Sequence, residues 1–162
     1  MLRVLTLMLY ISGCSFQSYK PEPESLISNS TCGHLVGEYS VDSEKFKYYS
    51  NPKFWSMRDY QVFSINFTEA GIEFSAKSNN SPVKIKTLNH DEYSCDGKVL
   101  TIDVENGATS NGGVSTYDAR KLQIFSVKPD EIRMRMVQTS SGLAFLVPVV
   151  ISEDSLVILN RI

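Results

Sequence analysis

Phe63-Ser64-Ile65-Asn66-Phe67-Thr68-Glu69-Ala70-Gly71-Ile72-Glu73-Phe74-Ser75-Ala76 decides the fold class. Phe63, Ile65 and Phe67 alternate with Ser64 and Asn66. Beyond Glu69-Ala70-Gly71, Ile72, Phe74 and Ala76 alternate with Glu73, Ser75 and Lys77. Successive side chains on a strand point to opposite faces, so a period of two reads as two half-buried strands joined by a tight turn. A helix would repeat its apolar positions every three or four residues, and this stretch does not.

The same pattern extends toward the C-terminus. Asn79-Asn80-Ser81-Pro82 breaks the chain, after which Val83 and Ile85 alternate with Lys84 and Lys86. The polar loop Asn89-His90-Asp91-Glu92 leads to Tyr93 and Cys95, and Asp96-Gly97 is a strong hairpin turn. Leu100, Ile102 and Val104 form the next strand, and Asn106 to Gly113 reads as a glycine-rich loop. Leu122, Ile124 and Ser126 share one face, turned by Lys128-Pro129-Asp130. Ile132, Met134 and Met136 alternate with Arg133, Arg135 and Val137. Gly142 precedes a strand from Leu143 to Ile151, where Pro148 marks a bulge or an edge. Glu153-Asp154 precedes a last strand from Leu156 to Ile162. On the other side of the hairpin, Leu35-Val36-Gly37-Glu38-Tyr39-Ser40-Val41 is the opening strand. The expectation is an all-β domain, an antiparallel meander of about nine strands closed as a barrel or folded as a sandwich.

The N-terminus is of another kind. Arg3 precedes a short apolar run from Val4 to Ile11, too short to cross a bilayer as a helix and shaped like a secretory leader. Ile11-Ser12-Gly13-Cys14 resembles the lipobox of bacterial lipoproteins. That resemblance implies cleavage after Gly13, acylation of Cys14 and stable anchoring by two or three chains. Ser15, standing where an Asp would resemble an inner-membrane retention signal, points to the outer membrane. Residues 1–13 are then a signal peptide, 14–31 an acylated cysteine and flexible tether containing Pro21 and Pro23, and 32–162 the domain. No other apolar stretch approaches membrane-spanning length, which predicts a water-soluble domain on its lipid tether.

Without the leader, 15 basic residues face 18 acidic ones, a formal charge of −3. Such a balance lacks the electrostatic footprint of a nucleic-acid binder. Cys32 and Cys95 remain once Cys14 is acylated. An even pair in an oxidising compartment reads as a structural disulfide. The rival reading is a thiol nucleophile or a metal ligand, but no CxxC or Cys/His spacing supports either.

Two further resemblances bear on the fold. Gly37-Glu38-Tyr39 together with Arg161 resembles the calycin signature, lipocalins included, in which a Gly-x-Trp on the first strand is covered by a cation from the end of the barrel. Here Tyr39 replaces the Trp, and the implied role of Gly37, Tyr39 and Arg161 is structural. Leu35 to Tyr39, Tyr93 to Leu100, Ala144 to Val149 and Arg161 are similar to a group of small uncharacterised bacterial lipoproteins, which implies a lipidated all-β domain. Tyr93-Ser94-Cys95-Asp96-Gly97-Lys98 is also similar to the start of the membrane-bound inhibitors of C-type lysozyme, with Ser141-Gly142 in place of their loop. This chain departs from them in having no cysteine after Cys95 and no functional Lys-Gly.

No nucleophile elbow, P-loop, zinc spacing or dinucleotide fingerprint is present, so no cofactor is implied and no enzyme is expected. His90-Asp91-Glu92 with Asp96 offers either an oxygen-rich cation site or a solvated loop, the commoner use of carboxylates in turns. His34 reads as packing near the disulfide. The stretch from Lys45 to Arg58 interleaves cations with Tyr48, Tyr49, Phe54 and Trp55, residue types enriched at binding hot spots. It is either a binding surface, with Arg58 among its contacts, or a loop whose rings close one end of the barrel. The sequence therefore predicts a non-catalytic binding module for an envelope protein, glycan or small apolar ligand. An inhibitor or immunity-type protein is the alternative, and a hydrolase with an unrecognised site a third.

Overall fold

The structure, a computed structural model, describes residues 26–42, 60–78, 81–111, 114–144 and 147–162. They form an all-β antiparallel fold. Its strands are β1 (Gly37–Ser40), β2 (Val62–Thr68), β3 (Gly71–Ser78), β4 (Ser81–Leu88), β5 (Tyr93–Cys95), β6 (Val99–Asn111), β7 (Val114–Lys128), β8 (Glu131–Ala144) and β9 (Val147–Arg161). The order across the sheet is β4-β3-β2-β1-β9-β8-β7-β6-β5. All neighbours are consecutive in the chain except β1 and β9, which meet at Tyr39 opposite Arg161 and Ser40 opposite Asn160. Among the described residues, β4 and β5 are not hydrogen-bonded to each other, so the sheet curls without a closing ladder.

The decisive hairpin forms as its pattern requires. Phe63 stands opposite Ala76, Ile65 opposite Phe74 and Phe67 opposite Ile72. The Phe63 and Phe74 rings stack at 5.7 Å. Gly71 has φ +136°, and a Cβ there would lie 2.0 Å from the Leu88 carbonyl oxygen, so the turn admits only glycine. Tyr39, Phe63, Phe74, Leu100, Leu122 and Ile132 belong to one fully buried or nearly fully buried core between the two halves of the sheet. Burying each such side chain contributes about 1.5–3 kcal/mol.

Several sequence boundaries move. Leu35 and Val36 precede the first strand: Gly33–Leu35 is a 3-10 turn entered through Cys32 at φ 55°. Residues 26–31, assigned to the tether, are held against the sheet, with Ile27 N–H donating to Ser126 O at 2.9 Å and Asn29 N–H to Gly97 O at 2.7 Å. The Asn106–Gly113 loop is largely strand, since β6 continues to Asn111 opposite Val114. Residues 143–151 are not one strand but the end of β8 and the start of β9, and Glu153-Asp154 lies inside β9. Polar residues here hid the strands because none of the described ones belongs to the hydrophobic core. The ladder alone satisfies the backbone, and no period of two is needed.

The edge strand β4 inverts the usual arrangement. Lys86 stands opposite buried Phe74, whereas Val83 and Ile85 are exposed. Lysine on a core-side edge position discourages pairing with another sheet.

Candidate binding surface

Three sequence-singled residues meet at the β1–β9 junction. Tyr39 is buried, and its hydroxyl donates to the Leu35 carbonyl at 2.7 Å. Arg161 Nη2 donates to the Tyr39 oxygen at 3.0 Å and to the His34 carbonyl at 2.8 Å. Its guanidinium carbon lies 5.4 Å from the Tyr39 ring centroid. A Cβ on Gly37 would meet that carbon at 3.3 Å, so the glycine makes room for the arginine. Burial raises the Tyr39 phenol above its ordinary value, opposed by the Arg161 charge and hydrogen bond. This cluster ties the chain's first strand to its last.

Close by, Cys32 and Cys95 are bridged across 63 residues of chain, with Cα atoms 6.2 Å apart. Asp96 Oδ1 accepts from Lys98 N–H at 2.9 Å and Val99 N–H at 2.8 Å. The Val99 bond is the main reason its carboxyl sits below the usual carboxylate value. Burial pushes the His34 imidazole down, the Lys98 backbone works against this, and the Arg161 charge reinforces it. Glu92 Oε2 accepts from Asn89 N–H at 3.0 Å, closing the loop of which it is part. His90 Nδ1 meets the Tyr93 hydroxyl at 2.8 Å. Of the three carboxylates proposed for a cation, Glu92 and Asp96 are thus spent on turns, and no group of three His, Cys, Asp or Glu side chains poised for a metal occurs among the described residues.

The surface that sequence reasoning missed is an arm. Along the ladder, the row Ile102–Leu122–Met136–Ser155 is followed, past the register shift at Asp103/Glu105, by Glu105–Arg120–Gln138–Glu153. Val104, within that irregularity, is still buried in the core, and the apolar interior ends there. Beyond it β6 to β9 continue as a four-stranded extension. Gly107, Asp118, Ser140 and Ile151 stand opposite one another, then Ala108, Tyr117, Ser141 and Val150. The final row is Asn111–Val114–Ala144–Val147. Tyr117 is 49% exposed, Leu143 48%, Val150 48% and Ile151 55%. A Cβ on Gly142 would lie 2.1 Å from the Ser115 carbonyl oxygen, so β7 and β8 approach closely there.

At the base of the arm the charges are paired. Arg135, only 5% exposed, donates from Nε to both Asp154 carboxylate oxygens at 2.8 Å. Past the Asp118 row charge ends: no Asp, Glu, Lys or Arg occurs in residues 106–117 or 136–152. That gap, in a chain with 21% charged residues, is the sequence signal that marks the arm. Cys14 and the aromatic candidates Tyr48, Tyr49, Phe54, Trp55 and Arg58 lie outside the described residues. No protein-family profile, curated protein or solved structure matches this chain.

Proposed function

We propose that this chain is a lipid-anchored, non-catalytic binding module of the cell envelope, engaging its partner through the β6–β9 arm. The observation that carries the reading is the arm itself. Exposed Tyr117, Leu143 and Val150 share one face of strands that outrun the core, and exposed Ile151 lies on the other face. Exposed apolar groups gathered in one place mark interaction sites more often than scattered ones do. The interior supports a surface partner over a small apolar ligand, because Tyr39, Phe63, Phe74 and Leu100 are fully buried in it. The anchor rests on Ile11-Ser12-Gly13-Cys14.

An inhibitor of an enzyme is the second reading, and the projection of the arm is what favours it. A pull-down from the native envelope with the acylated chain tests both. Capture of a partner that Val150→Asp abolishes supports the module, and an enzyme among the captured proteins selects the inhibitor. Capture undiminished by arm substitutions sinks the proposal. For the anchor, Cys14→Ser should leave the membrane fraction or stall unprocessed. Ordinary membrane fractionation of a fully processed Cys14→Ser chain refutes acylation.

A further inference from the structure

We infer that the free edge of β4 is a second docking site, one that takes an extended peptide strand with acidic side chains at every other position. The site is separate from the arm and does not depend on it. Among the described residues β4 bonds only to β3, so one row of its backbone N–H and C=O groups has no ladder partner. An edge of this kind recruits a further strand unless its side chains forbid it. Val83 and Ile85 leave more than half of their surface in water. On the core side of the sheet, Lys84 stands opposite Ala76 and Lys86 opposite Phe74.

Charge selects the occupant. Among the described residues no carboxylate pairs with Lys86. The one acidic residue of β3, Glu73, stands opposite Thr87 and so belongs to the other face. A strand laid along β4 puts the residues opposite Lys84 and Lys86 on their side of the sheet, where glutamate or aspartate supplies the missing countercharge. The residues between them share the other face with Ile85 and are best apolar. A second copy of β4 does not fit. Continuing the sheet with its core on the same side, it would bring lysine against lysine. A basic strand is refused on the same count. The lysines that protect this edge from indiscriminate pairing therefore admit one chemistry, because like charge repels and opposite charge pairs.

The test titrates the full chain with short fluorescent peptides that alternate valine with glutamate, glutamine or lysine. The glutamate peptide should bind about tenfold tighter than the glutamine one, through two cross-strand charge pairs acting together, and the lysine peptide should not bind. High salt should shrink the difference. In a double variant carrying Lys84→Glu and Lys86→Glu the preference should reverse, and capture of the lysine peptide shows that this variant folds. Lys86→Gln alone should weaken glutamate-peptide binding several-fold, which keeps the test decisive if the double variant fails to fold. N-methylation of the glutamate peptide at alternate residues should abolish binding in one parity and spare it in the other, as a ladder requires. Equal binding of the glutamate and lysine peptides, or binding of neither, overturns the inference. So does an unchanged preference in the folded double variant, or binding that tolerates both methylation parities. Val150→Asp should leave the glutamate peptide's affinity unchanged. If it abolishes that binding, the peptide sits on the arm and the edge assignment falls.

Discussion

Arg161 caps Tyr39 twice over, by a 3.0 Å hydrogen bond to its hydroxyl and by placing a cation 5.4 Å from its ring centre. The two residues sit at opposite ends of the chain, and the same arginine nitrogen also holds the His34 carbonyl. Arg161→Ala should therefore lower stability by about 1–3 kcal/mol, the range for hydrogen bonds to charged groups. Tyr39→Phe should cost about 1–2 kcal/mol, because the Leu35 carbonyl loses its buried donor. Urea unfolding of both variants measures this, and values near zero would show that the cluster is ornamental.

Removing the Cys32–Cys95 bridge should destabilise the domain by about 4 kcal/mol on a chain-entropy argument for a 63-residue separation. The loss should be local as well as global. Residues 26–31 hang on Gly97 and Ser126 by single backbone bonds, so amide exchange at Ile27 and Asn29 should rise first on reduction.

The pH dependence follows from His34. Burial holds its imidazole below the ordinary 6.5, so the folded state prefers the neutral ring. Below that value the unfolded chain binds a proton that the folded one resists. Stability is then complete above pH 6.5 and declines as the pH falls toward the folded value. His34→Gln should flatten this part of the profile. An unchanged slope in thermal melts between neutral and mildly acidic pH would assign it elsewhere.

Gly142→Ala should loosen the arm while sparing the core. Its Cβ would collide with the Ser115 carbonyl, a backbone atom that cannot swing aside. Faster amide exchange in β7 and β8 beyond Asp118, with Leu122 and Ile132 still protected, is the expected pattern. Uniform deprotection would show that arm and core unfold as one unit.

What the sequence disclosed and what it hid divide along a physical line. Phe63, Ile65, Ile72 and Phe74 announced their strands because one face is dry and the other wet, which imposes a period of two. Gly37, Tyr39 and Arg161 were legible as a trio from a motif, although nothing in their spacing says that strands one and nine touch. Cys32 and Cys95 were legible by elimination. The arm was hidden for the complementary reason. Thr116, Ser140 and Gly142 are half-buried and outside the hydrophobic core, so their order comes from the ladder and leaves no hydrophobic rhythm. Asn106-Gly107 and Glu153-Asp154 look like turns, yet the register carries the strands through both. Only the missing charge betrays the region, and absence of a residue type is a weaker cue than its repetition.

The β1–β9 junction has a consequence for the order in which the chain folds. Among the described residues every other pairing in the sheet joins neighbours along the sequence, and such local ladders zip quickly. Ser40 and Asn160 are 120 residues apart, so this pairing alone must await a distant partner. A chain made from its N-terminus can therefore build β2–β4 and β5–β8 while β1 has only half its neighbours. Until Asn160 and Arg161 arrive, Tyr39 lacks its cap and the two halves of the sheet share no seam. Residues 159–162 thus act as a clasp, and a truncation that ends at Ile158 should leave two hairpin stacks tethered by the Cys32–Cys95 bridge but without their hydrogen-bonded seam.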